Sequence, residues 1–373
     1  VAFPDGWGRR CALTIDQTLV DADLSDWTFI LEPDSLPSEM LNTSSGNSCL
    51  DGGGDVRFSS DSAGTTRLAC DIRACHPTAG GTGAYADIAV KVSAVSSTTD
   101  TTIYIWYEKA AESQPAVSDT YGQYNAYDAN CKAVYPMHED PSGSAPQMKN
   151  RKADSDHGTS AGAMTSGDVV DGSIYKALDF DGSNDYINCG DASWFDGASN
   201  ITVECLYYPV SAASSALLTK WGTGKQIAMG FSGQNLYYSV RINGTGSGGS
   251  QVDALGSVSR TGAAWHCAAG TYDGATAYIY HNGAVDDSTA GSGTLNTTVS
   301  DVVAIAAFSN ASSFNKSVMD EVRLSAAARS TAWLNADYYN LLDPTNFTTV
   351  GTPESPAGPS GMGYVNLLLL GVG

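Results

Sequence analysis

The sequence predicts an all-β protein made of two tandem β-sandwiches and an extended C-terminal arm, and three observations carry that prediction. The 373 residues include 40 Gly and 19 Tyr against 19 Lys and Arg together, a mixture suited to short strands and tight turns, because aromatic side chains fit a pleated surface while Gly supplies turn geometry. Apolar residues recur with a period of two in several short segments, the signature of a strand. The length exceeds the roughly 250–300 residues at which a single core stops growing, so two domains are expected.

The first strand is read from Trp7 to Asp16. The second runs from Leu24 to Leu31, where Trp27, Phe29 and Leu31 alternate with Thr28 and Ile30. A turn at Gly52-Gly53-Gly54 leads into Asp55-Val56-Arg57-Phe58-Ser59, and further strands follow at Tyr85 to Val92 and Thr102 to Tyr107. This is a sandwich pattern. The polar stretch Ala110 to Gly122 reads as a linker, which sets the expected boundaries: a first sandwich over 1–110, a linker over 111–122, a second sandwich over 123–343 and an arm over 344–373. The second module opens with a strand within Tyr127 to Glu139. In Ile201 to Tyr207 the side chains of Val203, Cys205 and Tyr207 share one face, as do Tyr278 and Tyr280 further on. Asp273-Gly274 and Asn282-Gly283 mark hairpin turns that need positive φ. One helix is expected, from Ala326 to Tyr339, with Leu334 and Tyr338 four residues apart on one face. The arm is rich in Pro, Gly and Thr and ends in Leu367 to Leu370. It is read either as a strand against the protein's own sheet or as a hook adding a strand to a neighbouring subunit.

Two resemblances follow from these segments. Trp7 with Arg9 and Arg10, then Asp55-Val56-Arg57-Phe58, Leu68-Ala69-Cys70-Asp71 and Ile105-Trp106-Tyr107-Glu108 resemble a bacterial and phage domain family of unknown function over about residues 6 to 110. Cys70 replaces an aromatic of that pattern and Glu108 a turn glycine. The resemblance implies a β-sandwich without an assigned activity. Ala177 to Ile187, Ile201 to Tyr207, Trp265 to Gly274, Tyr278 to Gly283 and Met319 to Ser325 are similar, in order and spacing, to the laminin-G-like concanavalin A superfamily. That likeness runs from about 123 to 341, with Leu206 where many members have Trp, and implies an antiparallel jelly roll of two packed sheets.

The formal net charge is −21 with only 16% charged residues, which argues against nucleic acid as a partner, since phosphate binding needs a concentrated basic face. No stretch reaches the roughly 18 apolar residues of a membrane span, and the longest apolar run, Val365 to Val372, is interrupted by Asn366 and Gly371. Val1 to Trp7 shows neither a charged nor an apolar leader region, so a signal was either removed or never needed. The eight cysteines divide four and four, Cys11, Cys49, Cys70 and Cys75 against Cys131, Cys189, Cys205 and Cys267, leaving the disulfide state open. Cys205 and Cys267 sit inside strands, where a thiol behaves as a small buried hydrophobe.

The sequence carries none of the spacings that mark common enzyme sites. A glycosidase needs two carboxylates about 5 to 9 Å apart, and the Glu-x-Asp-x-x-Glu type of spacing that supplies them is absent. No Gly-x-Ser-x-Gly elbow, HExxH or P-loop occurs, His138-Glu139-Asp140 reads as a turn, and the five histidines are scattered. No cofactor is expected beyond calcium, for which Asp179, Asp181 and Asp185 offer hard oxygen ligands close together. Sugar recognition would use loop aromatics that stack on sugar rings, with Trp194, Trp221, Tyr237 and Tyr238 as candidates. The expected function is that of a non-catalytic virion structural protein, such as a phage tail, fibre or head-decoration subunit, displaying a lectin-like module to a glycan or host surface. Its other partners would be further virion subunits, or itself through the arm. The alternative is a secreted adhesin on a bacterial cell surface, and a polysaccharide-active enzyme is the least favoured reading.

Overall fold

The computed structural model describes residues 6–210, 214–259 and 262–356; the terminal leucine run, read either as a strand against the protein's own sheet or as an assembly hook, lies outside them. Strands dominate the described residues, as the composition requires, and they form two sandwiches. In the first, a five-stranded sheet runs in the order Thr348–Val350, Arg9–Ile15, Thr101–Tyr107, Arg57–Ser59 and Arg67–Leu68. A three-stranded sheet of Leu24–Leu31, Tyr85–Val95 and Cys70–His76 covers it. The alternation read in Leu24 to Leu31 is realised, because Trp27, Phe29 and Leu31 enter the core with Ile88, Val90 and Ile105.

The second sandwich packs two larger antiparallel sheets. One is built on the path Val169–Asp171, Lys176–Asp179, Ser317–Ser325, Ile201–Pro209, His266–Tyr272, Thr276–His281 and Ala284–Ala290, with Cys131–Tyr135 also paired to Ser317–Ser325. We call it the facing sheet, because its outer surface lies against the first module: Val134, Leu206 and Cys267 share an apolar cluster with Ile30 and Ala89. The other, the outer sheet, has the order Ser250–Ser259, Asn235–Ile242, Lys225–Ser232, Ser215–Trp221, Ala304–Ile305, Tyr186–Asn188 and Thr159–Ala161. Val203, Cys205 and Tyr207 point between the two sheets with Ile227, Met229 and Phe231.

The helix forms at Thr331–Leu342, five residues later than its expected start. Ser330 is the reason, since its side chain accepts the N–H of Trp333 and caps the first turn; Arg329, just before it, turns instead to Asp128. The helix buries more than the one face read from Leu334 and Tyr338. Ala332 and Ala336, with Phe347 beyond the helix, complete the core of the first sandwich, while Leu341 joins the cluster between modules. Asn340 treats the edge strand Leu24–Leu31 as a neighbouring strand would, accepting from Ile30 N–H and donating to Ile30 C=O, both at 2.8 Å. The chain then adds the strand Thr348–Val350 beside Arg9–Ile15, with Leu13 opposite Val350.

A buried ionic network crosses between the modules. Opposite Glu204 and Leu206 the strand Ser317–Ser325 carries a β-bulge, and Glu321 there has φ +46°. The extra residue breaks the strict alternation and re-aims a side chain, so Met319, Val322 and Leu324 enter the core while Glu321 and Arg323 reach the network at the junction. Arg73 of the first module donates to both oxygens of Glu321 at 2.8 and 2.7 Å and, through Nε, to Asp87 at 2.8 Å. Arg323 Nε donates to Glu321 at 2.9 Å, its Nη1 approaches Asp337 at 3.3 Å, and Trp27 Nε1 donates to the same Asp337 oxygen at 2.9 Å. His138, read from the sequence as part of a turn, stands 3.7 Å from Asp87 in this network. Burial pushes Asp87 up, but Arg73 and His138 outweigh it and hold its carboxyl low.

Candidate functional site

The outer sheet presents its free face at the strands Lys225–Ser232, Asn235–Ile242 and Ser250–Ser259. Strand alternation sorts their residues: Leu236, Tyr238 and Val240 point into the core, and Tyr237, Ser239 and Arg241 point out. On the neighbouring strand Val252 and Ala254 point in, and Gln251, Asp253 and Leu255 are exposed. Ser232, Tyr237, Ser239, Gln251, Asp253 and Leu255 line a shallow groove of about 290 Å³.

Its polar groups are linked in a row. Asp253 accepts from Ser239 Oγ at 2.5 Å and from Gln251 Nε2 at 2.8 Å, and Arg241 donates to Gln251 Oε1 at 3.2 Å and to Gly249 C=O at 2.9 Å. Burial, with the Asp253 charge adding to it, pushes the Tyr237 phenol up to about 12, so the hydroxyl stays neutral. Leu255, 51% exposed, supplies an apolar flank. At one end Lys225 and Arg241 lie over the Trp221 ring at 5.5 and 6.0 Å. The groove therefore joins an aromatic side chain, an apolar edge and a set of pre-oriented donors and acceptors.

The four aromatics named from the sequence separate. Tyr237 lines the groove and Trp221 stands beside Arg241, which belongs to its row of hydrogen bonds. Trp194 stacks on Phe195 at 3.9 Å and packs against the core. Tyr238 is wholly buried, a correction to its expected role. It fits because Gly270 on the opposite sheet has no side chain: a Cβ there would come within 2.3 Å of the Tyr238 ring. The aspartates expected to hold calcium are not gathered as a ligand set. Asp181 Oδ1 accepts the N–H groups of Ser183 at 2.7 Å and Asn184 at 3.2 Å, and Asp185 Oδ2 accepts that of Asp181 at 3.4 Å, so these carboxylates close their own turn. Among the described residues no three His, Cys, Asp or Glu side chains are placed to hold a metal ion, and no helix is long and apolar enough to cross a membrane. Ser239, Arg241, Gln251, Asp253 and Leu255 were missed from the sequence. The alternation Gln251-Val252-Asp253-Ala254-Leu255 was the available signal.

Fold and groove together define the class: a β-sandwich protein whose C-terminal module is a lectin-like jelly roll. Residues 181–335 match the family model described as the concanavalin A-like lectin/glucanases superfamily. No curated protein matches the chain in sequence. Among solved structures it is similar to domain 4 of AbnA, a GH43 extracellular arabinanase from Geobacillus stearothermophilus, in complex with arabinotriose, at 16% identity, 56% of this chain, 98% of that chain and a TM-score of 0.39. It is also similar to the binding domain of Paraclostridial Mosquitocidal Protein 1, at 12% identity over 56% of this chain and 52% of that one, TM-score 0.43. The binding domain of Botulinum Neurotoxin DC in complex with SialylT follows at 11% identity, 57% and 52%, TM-score 0.42. The chain spans about half the length of these two toxin domains, and at such identities the likeness is one of fold alone.

Proposed function

We propose that the protein is a non-catalytic glycan-binding surface protein, whose jelly roll takes a sugar chain in the groove between Tyr237 and Asp253. The observation that supports this most is the row Ser239–Asp253–Gln251–Arg241 beside the Tyr237 ring. Hydrolysis of a glycosidic bond calls for two carboxylates, and Asp253 is the single carboxylate among the groove-lining residues. The test is a glycan array on the whole chain followed by calorimetry on Tyr237→Ala and Asp253→Asn. Each variant is expected to lose at least about tenfold in affinity, or about 1.4 kcal/mol, with its melting temperature kept. Full binding by both variants, or bond cleavage in the bound glycan, would defeat the proposal.

As to where it acts, we read the protein as a virion surface subunit, with a secreted cell-surface adhesin as the alternative. The two readings part at the cysteines, all eight of them buried: a subunit folded in a reducing cytoplasm keeps them as thiols, whereas a secreted adhesin oxidises those close enough to pair.

A further inference from the structure

The residues behind the first module's family resemblance take no part in the groove, yet the fold brings them to one corner. Arg57 pairs with Trp106 across neighbouring strands, and Trp7 Nε1 donates to Asp55 C=O at 2.9 Å. With Arg67 from the next strand, Trp7, Phe58 and Trp106 line a half-open cavity of about 80 Å³. Phe58 and Trp106 are buried, the latter with Arg10 5.5 Å over its ring, so the half-buried Trp7, which carries Lys109 3.9 Å over its ring, is the aromatic a ligand can reach.

Its two guanidinium groups are in different states. Arg57 is spent on its surroundings: Nη1 donates to the carbonyls of Gly54 and Val56, and Nη2 to that of Ser113 and to Glu112. Arg67 is exposed and forms no ion pair among the described residues. It lies 4.5 Å over the Tyr121 ring, and Tyr121 is itself fixed where its carbonyl accepts Cys70 N–H. The loop carrying Gly64, another part of the lining, is held by Asp61, whose carboxylate accepts the N–H groups of Ala63, Thr65 and Thr66. Those bonds keep the Asp61 carboxyl well below the usual range.

We infer that this slot is a second binding site, which takes a carboxylate-bearing pyranose residue of an acidic polysaccharide with its C–H face against the accessible part of Trp7 and its carboxylate on Arg67. The half-buried Trp7 indole offers an apolar surface, and one oriented guanidinium fork matches one carboxylate in bidentate fashion. In a chain of net charge −21, an anion is drawn only where a cation stands unneutralised. The site lies on the other module from the groove and does not depend on it.

The experiment titrates the whole chain with trigalacturonate and with neutral galactotriose, following tryptophan fluorescence and heat, in the parent and in Arg67→Gln, Trp7→Phe and Tyr237→Ala. Trigalacturonate is expected to bind and to weaken with added salt. Its affinity should fall at least tenfold in Arg67→Gln and measurably in Trp7→Phe, both with unchanged melting, and stay the same in Tyr237→Ala. Galactotriose should not compete. No binding of trigalacturonate, full affinity in Arg67→Gln, or loss in Tyr237→Ala would overturn the inference. So would an acidic aromatic peptide that needs Arg67 where trigalacturonate does not bind, since the slot would then be a peptide site.

Discussion

Replacing Arg73 with Met tests whether the two sandwiches are joined by charge. The Arg73 and Glu321 side chains are 0% exposed and that of Asp87 is 3% exposed, so removing the guanidinium leaves two carboxylates with no water to turn to. Glu321 keeps Arg323 at 2.9 Å and Asp87 keeps His138 at 3.7 Å. Breaking a buried pair from one side costs about 3–5 kcal/mol, and the remaining partners here place the expected loss toward the lower figure, about 3 kcal/mol. Glu321→Gln alone should cost less, because it removes a buried charge rather than stranding two. The double variant should cost less than the sum of the single ones, since each substitution removes the partner the other strands. The assay is urea unfolding of the four proteins at pH 7, in low and in high salt. The Arg73 effect should hold in high salt, because a pair closed to solvent is little screened. A loss below about 1 kcal/mol, strictly additive costs, or an effect erased by salt would show that this network does not couple the modules.

Two further expectations come from the same interior and from the thiols. Asp320 is buried, its Oδ2 accepting from Ser173 and Ile174 N–H, and burial together with the Glu321 charge pushes it up to about 8; burial and Asp337 raise Glu204 likewise. A carboxyl raised in the folded state holds a proton that the unfolded chain, near 4, has released, so stability should fall as pH rises from about 4 to 8. The slope is up to about 1.4 kcal/mol per pH unit for each group, and Asp320→Asn should remove one proton's share of it in urea titrations; an unchanged slope would refute the assignment. Below about pH 4 the carboxyls held low, Asp87, Asp128 and Glu39 among them, lose their stabilisation in turn. Intact mass with and without reduction, on natively purified protein, should find free thiols throughout. An adhesin folded under oxidising conditions would instead join Cys49 to Cys75, whose Sγ atoms lie 3.5 Å apart.

Much of the fold was legible because strand alternation is local. Trp27, Phe29 and Leu31, or Val203, Cys205 and Tyr207, declare a shared face without knowledge of what covers it. The site was legible only in part, for the same reason seen from the other side. Tyr237 and Tyr238 are adjacent, so one must point in and the other out, and which is which depends on Gly270 of the opposite sheet. Met319-Asp320-Glu321-Val322-Arg323 reads as a family signature, yet a register shift re-aims Glu321, and its partner Arg73 lies in the other module. The aspartates of the 181–185 turn have the composition of a cation loop, and only their hydrogen bonds show that Asp181 Oδ1 and Asp185 Oδ2 serve the turn's own N–H groups.

The strand Thr348–Val350 beside Arg9–Ile15 also bears on how the molecule is made. Chains grow from the N-terminus at about 5–20 residues per second, so the first sandwich waits on the order of tens of seconds for Ala332, Ala336, Phe347 and its edge strand. During that interval Trp27 and Phe29 lack part of their cover, while the jelly roll holds nearly all its own strands before the helix is made. The half translated first is thus the half completed last, and its apolar faces at Trp27 and Phe29 stay partly open until residues 332–350 have been added.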